Sequence, residues 1–161
     1  MKSRSNPGSL GRPTAKRAQP AVLVVNGPNL NLLGTREPKI YGHTTLPEID
    51  EDLRVVGEVL GVTVETFQSN HEGALVDKLH ALADRGTEGF IVNFAAYSHT
   101  SIALHDALKS TGLPALEVHI SDISQREKFR HHSMTAAACV GMISGHGLPG
   151  YVEALRRLAK L

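Results

Sequence analysis

Val22–Gly42 reads VLVVNGPNLNLLGTREPKIYG. Val22 to Val25 form an unbroken apolar run, rich in β-branched residues and short enough for a strand buried on both faces. Asn26, Gly27, Pro28 and Asn29 then end the strand and turn the chain. A strand hidden on both faces belongs in a parallel sheet covered by helices above and below. The turn opens a loop of roughly 16 residues before the next helical pattern, and loops of that length are usually functional or disordered. This one carries Arg36 and Tyr41 among Gly34, Pro38 and Gly42. An unassisted phenol of pKa about 10 is ionised in roughly one molecule in a thousand at pH 7, so about 3 units, or ~4 kcal/mol, separate it from a neutral-pH base. One nearby cation supplies about 1 to 3 of those units. Arg36, aided by a second arginine, therefore makes Tyr41 a physically sensible phenolate base.

The rest of the chain alternates strands with helices. Thr45-Leu46-Pro47-Glu48 is a capping box with proline in the first turn. Ile49, Leu53, Val56 and Leu60 follow at helical spacing, and Gly61 ends that helix. Residues 62–67 read as a second strand, and Leu75, Val76, Leu79 and Leu82 mark a helix closed by Gly86. A third strand over 89–93, a helix over 100–110, a fourth strand over 115–120, a fifth over 137–143 and a last helix over 148–160 complete the pattern. Such alternation predicts right-handed crossovers and a doubly wound, flavodoxin-like five-stranded parallel sheet with helices on both faces.

Composition bounds the function. The chain has 161 residues, 41% hydrophobic and 20% charged, which suits one globular domain. Residues 1–20 hold five basic residues, no acid and three prolines. They are expected to be a disordered basic tail preceding a single domain over 21–161. Without the tail, 12 basic residues face 16 acidic ones, a balance that argues against nucleic-acid binding. Cys139 stands alone, so no disulfide forms within the chain, and its apolar surroundings favour a buried small hydrophobe over a nucleophile. No apolar stretch approaches the roughly 20 residues of a membrane helix, and a soluble, intracellular protein is expected. The histidines show no metal-site spacing, and neither GxxxxGK[ST] nor GxGxxG occurs, so neither a metal nor a nucleotide is expected.

In open parallel sheets ligands bind beyond the carboxyl ends of the strands. Asn26 and Asn29 follow the first strand, Asn93 ends the third with His99 soon after, and Glu117, His119 and Ser121 cluster at the end of the fourth. A glutamate and a histidine inside a buried parallel strand are out of place unless they do chemistry or pair structurally. Two apart, they share a face, where a carboxylate orients an imidazole and favours its protonated form, as a general acid requires. Arg126 and Arg130 share a face if SQREKFR is helical. Two adjoining guanidiniums then suggest an anionic or hydroxyl-rich ligand, although Glu127 and Lys128 nearby also fit a solvated face.

NGPNLNLLG-x-REP-x-x-YG, with the segment from Asn93 to Ser101, NFAAYSHTS, resembles the two signatures of type II 3-dehydroquinate dehydratases. The similarity covers about residues 21 to 159. The resemblance implies the same flavodoxin-like fold and a catalytic domain without cofactor or metal. It implies dehydration of 3-dehydroquinate to 3-dehydroshikimate in shikimate-pathway biosynthesis of aromatic amino acids or in quinate degradation. By the same resemblance Tyr41 is the base, assisted by Arg36. His119 is the acid, oriented by Glu117, and Asn29 stabilises an enolate through a bound water. Asn93 and His99 would bind substrate hydroxyls, the backbone amides of Ile120 and Ser121 its carboxylate, and Arg130 the substrate, with Arg126 near the tyrosine. Asp106 would reach a neighbouring subunit's site in a cytoplasmic homododecamer of four trimers. Two departures fall close to the site: Phe94-Ala95 where the family usually has Pro-Gly, and Asp122 where it usually has asparagine. A non-catalytic sugar-acid binding module and a flavin carrier of the same fold are the alternative readings.

Overall fold

The structure is a computed structural model that describes residues 21–161. The expected basic tail lies outside the described residues. Five strands, β1 (Ala21–Asn26), β2 (Thr63–Gln68), β3 (Thr87–Asn93), β4 (Ala115–His119) and β5 (Gly141–Ser144), form one sheet in the order β2-β1-β3-β4-β5. Every pairing is parallel. The helices are a single turn α1 (Pro38–Tyr41), then α2 (Leu46–Leu60), α3 (Glu72–Ala83), α4 (Ile102–Thr111) and α5 (Pro149–Leu158).

Side-chain alternation along the strands decides which helix covers which face. Val22 and Val24 join Ile91, Leu116 and Val118 against Leu53 of α2 and Leu155 of α5. Leu23 and Val25 point the other way, with Phe90 and Val92, onto Leu75 and Leu79 of α3 and Leu104 and Leu108 of α4. Both faces are therefore dry, as the apolar run in β1 requires. The capping box that opens α2 forms, with the Thr45 amide and hydroxyl each donating to Glu48 at 2.7 Å. Gly61 closes the helix at φ 71°. This strand order is flavodoxin-like. The connection from β1 runs to one face and that from β3 to the other, which opens a crevice at their carboxyl ends.

Three segments differ from expectation. The fifth strand is shorter than 137–143, because Ala136–Ala138 is a 3-10 turn. Its amides are taken locally: Ala136 donates to the Ser133 hydroxyl at 3.1 Å and Ala138 to the Thr135 carbonyl at 3.0 Å. SQREKFR is not one helix but two 3-10 turns, Ile123–Gln125 and Lys128–Arg130, separated by extended backbone at Arg126 and Glu127. The long loop after β1 is partly ordered by a 3-10 turn at Leu30–Leu32 and by α1.

Candidate active site

The floor of the crevice is built from two asparagines. Asn26 and Asn93 are partners in the β1–β3 register, both buried. Between them stands the hydroxyl of Tyr151, carried in from α5. Asn93 Nδ2 donates to it at 2.9 Å, and it donates to Asn26 Oδ1 at 2.7 Å. Asn93 Oδ1 accepts the Ala95 amide at 3.2 Å, which fixes the orientation of that side chain. Burial pushes the Tyr151 phenol upward, so it serves as a neutral hydrogen-bonding group. Gly27 has no side chain for good reason: a Cβ there would lie 2.4 Å from the Phe94 carbonyl oxygen. The next turn holds Ala95 at φ 51°, and Asn29 sits at φ 66° with its amide bound to Asn70 Oδ1 at 2.9 Å.

A buried glutamate–histidine pair lies at the end of β4. Glu117 is fully buried and His119 nearly so. His119 Nε2 lies 2.5 Å from Glu117 Oε1. Desolvation drives the Glu117 carboxyl upward, yet hydrogen bonds from His119, Ser133 and Thr135 and the charge of His119 outweigh it, leaving the net pKa below the usual carboxylate range. Glu117 thus stays anionic and does not border the cavity itself, whereas His119 does. His99 stacks near it, ring centroids 6.0 Å apart. Desolvation above all, with the charges of His119 and Arg130, lowers the pKa of His99 against the pull of the His132 carbonyl. Its Nδ1 sits 2.8 Å from that carbonyl and so bears the hydrogen of the neutral ring, leaving Nε2 as an acceptor.

A cavity of about 140 Å³ joins these groups. Asn29, Arg36, Tyr41, Asn93, His99, His119, Ile120, Ser121, Arg126 and Arg130 all line it. Tyr41 comes from α1, and its hydroxyl accepts from Arg126 at 3.0 Å. The Arg36 guanidinium lies 5.4 Å from the Tyr41 ring centre and pairs with Glu37 at 3.3 Å. Arg126, not Arg36, is therefore the cation in direct contact with the phenolic oxygen. Arg130 is oriented by Glu127 at 2.9 Å. Asp106 stands outside the cavity of its own chain, on α4, paired with His105 and with 71% of its side chain exposed. Asp122 turns away to cap the Ile123–Gln125 turn through the Ser124 amide at 2.9 Å and hydroxyl at 2.7 Å. Asparagine could serve there equally well, so that departure is a turn cap. A larger groove between α2 and α5, about 660 Å³, holds none of the expected site residues.

A cationic wall, a tyrosine, and an imidazole backed by a buried carboxylate around one small cavity make an arrangement fit for proton transfer on an anionic, hydroxylated molecule. The family model for dehydroquinase class II matches residues 20–159. The chain belongs to that family. Its dehydroquinase relatives include the 3-dehydroquinate dehydratase of Bordetella avium, 54% identical over 84% of this chain and 94% of the relative. That of Ralstonia pickettii is 55% identical over 89% and 92% respectively. The crystal structure of type II dehydroquinase from Propionibacterium acnes superposes with a TM-score of 0.86 at 44% identity, covering 91% of this chain and all of the other.

The dehydroquinase site also contains groups that spacing does not disclose. Ser133 and Thr135 reach Glu117 from a loop 16 and 18 residues away, in a segment that reads as ordinary small and polar residues. Tyr151 falls on the apolar face of α5 and reads as core. Only a hydroxyl on an otherwise apolar helix face could have flagged it, since a buried tyrosine needs a partner. Cys139 is half-buried, its thiol pushed up to about 12 by burial, and is no nucleophile. Among the described residues no group of three or more His, Cys, Asp or Glu could hold a metal, and no helix is long and apolar enough to cross a membrane.

Proposed function

We propose that the chain converts 3-dehydroquinate into 3-dehydroshikimate through an enolate, with Tyr41 as base and His119 as acid. The observation that carries this reading is the placement of Tyr41, bonded to Arg126, and His119, backed by Glu117, on one cavity. The Tyr41 phenolate takes a proton from the carbon beside the ketone, and the electron pair moves onto the ketone oxygen. Arg126, with Arg36 farther off, offsets the phenolate's negative charge. Asn29, through a water, stabilises the enolate oxygen. The enolate then re-forms the ketone and expels the hydroxyl one carbon beyond, which His119 protonates to water, leaving a carbon–carbon double bond conjugated with the ketone. The Ile120 and Ser121 amides and Arg130 hold the substrate, whose carboxylate suits this cationic wall. Asn93 and His99 take its hydroxyls, the bare Nε2 of His99 being a natural acceptor. These residues need no cofactor for any step.

The assembly follows the same reading. Asp106 is exposed on a single chain, and the edge strand β5 exposes Met142, with Val140 just before it. Both features suit burial against other copies in a cytoplasmic homododecamer of four trimers, with Asp106 completing a neighbour's pocket.

The test is to add 3-dehydroquinate and follow the ultraviolet absorbance of the conjugated enone. Turnover is expected from the natural chain. Tyr41→Phe and His119→Ala should each lose orders of magnitude in kcat while still binding substrate. Binding without turnover by the natural chain would overturn the reading in favour of a sugar-acid binding module.

A further inference from the structure

Glu117 lies at the bottom of the site with no exposure, and two hydroxyls close its coordination. Ser133 Oγ is 2.5 Å from Oε1, the oxygen that also meets His119, and Thr135 Oγ1 is 2.6 Å from Oε2. Each hydroxyl has one hydrogen. The Ser133 oxygen accepts the Ala136 amide at 3.1 Å, and its own hydrogen goes to Glu117 at 2.5 Å in preference to the Ser98 carbonyl at 3.4 Å. Their segment is hooked to the turn that carries His99, since the Met134 amide donates to the Ser98 carbonyl at 2.7 Å. The other titratable groups facing Glu117 are His119 from β4, His99 from the Ala95–His99 turn, and the Cys139 thiol, which stays neutral.

A buried carboxyl beside an imidazole has two ways to share one proton. It can remain a carboxylate against an imidazolium, or take the proton and stand as a neutral carboxylic acid against a neutral imidazole. Burial alone favours the neutral pair. Hydroxyl donors aimed at both carboxylate oxygens reverse that preference, because they are strongest to an anion. We propose that Ser133 and Thr135 are positioning residues that hold Glu117 as a carboxylate, so that the shared proton stays on His119, where the reaction needs it. This inference rests on the dehydratase reading above. It adds two residues that act through Glu117 and do not touch substrate.

The experiment compares Thr135→Val, which keeps the side-chain shape and removes the hydroxyl, with Thr135→Ser, which keeps the hydroxyl. Thr135→Val and Ser133→Ala should each lower kcat about tenfold or more, the loss of one charge-assisted hydrogen bond, with KM within about twofold. Thr135→Ser should retain kcat within about twofold. In a Glu117→Gln background, Thr135→Val should change the residual kcat less than about twofold, because the carboxylate through which it acts is gone. Melting curves establish that each variant is folded at the assay temperature. Nitrogen NMR of His119 supplies a readout independent of turnover: at pH 7 its protonated fraction should fall in Thr135→Val and not in Thr135→Ser. Natural kcat in Thr135→Val, a loss that serine does not restore, or an equal loss in the Glu117→Gln background would overturn the proposal. If the natural chain does not turn over 3-dehydroquinate, the dehydratase reading fails, and an unchanged His119 protonation in Thr135→Val then refutes the positioning role separately.

Discussion

Phe94→Pro and Ala95→Gly would restore the residues the family usually carries, yet the two changes should act in opposite directions. Phe94 is fully buried among the side chains between the sheet and α3 and α4. Its φ of −78° already suits proline, and Asn93 before it lies in a strand, as a residue preceding proline should. The backbone would therefore accept proline, and the damage would come from lost volume. Removing a buried phenylalanine costs about 3 to 5 kcal/mol, and proline's restraint of the unfolded chain returns about 0.4 to 1. The remaining ~2 to 4.5 kcal/mol should lower the melting temperature by about 5 to 15 °C in a domain of this size. Ala95 sits at φ 51°, where a side chain costs about 1 to 2 kcal/mol. Glycine would relieve that and give back about 0.5 to 1 kcal/mol in chain entropy, so Ala95→Gly should melt at or slightly above the natural chain. Calorimetry gives both numbers. Because Asn93 and Ala95 line the cavity, Phe94→Pro should also raise KM. A Phe94→Pro variant melting at or above the natural chain, or an Ala95→Gly variant melting several degrees below it, would refute this account.

Arg126→Met should reduce kcat more than Arg36→Met, since only Arg126 donates to the Tyr41 oxygen among these two. Steady-state kinetics on both variants decide it, and a larger loss at Arg36 would return the main electrostatic role to that residue. Glu117 has a folded pKa below its unfolded one, so its stabilisation is present above the ordinary glutamate value of about 4.3 and is lost as pH falls through the lower folded value. Glu117→Gln, though less stable at pH 7, should therefore lose less melting temperature than the natural chain between pH 7 and that acid window; parallel pH dependences would contradict the sign. Gly27→Ala places a methyl against backbone that cannot swing aside and should cost about 1 to 3 kcal/mol by overpacking. Denaturant unfolding checks this, and an unchanged midpoint would mean that the Phe94 turn relaxes freely.

Strand and helix alternation was readable because each element carries its own period, and the apolar run at Val22 to Val25 required both faces to be covered. The cavity residues after β1, β3 and β4 were readable because sheet topology gathers strand ends in one place. Short-range hydrogen bonding was not. Ala136–Ala138 looks like a strand by apolarity, but the Ser133 hydroxyl and the Thr135 carbonyl take its amides first. The direct contact of Arg126 with Tyr41 has no local pattern behind it either, and only the family resemblance places Arg126 near the tyrosine. Arg36 is near Tyr41 in sequence, whereas Arg126 reaches it across 85 positions, a separation that no local pattern encodes. Ser133, Thr135 and Tyr151 carry no local pattern for the same reason, since their partners lie 16, 18, and 58 and 125 positions away respectively.

The Tyr151 bridge has a consequence for how the enzyme comes into being. Its hydroxyl meets Asn26 across 125 positions and Asn93 across 58. Synthesis proceeds from the amino end at about 5 to 20 residues per second, so strands β1 and β3 emerge well before the helix that joins their ends. Until α5 docks, the Tyr151 hydroxyl cannot occupy its place between the two asparagines. A nascent or truncated chain lacking α5 could pair its central strands and bring Tyr41 and His119 to the surface without a finished floor beneath them. Closure of the crevice floor is thus tied to the docking of α5, and without that helix Asn26 and Asn93 lose the hydroxyl that joins them.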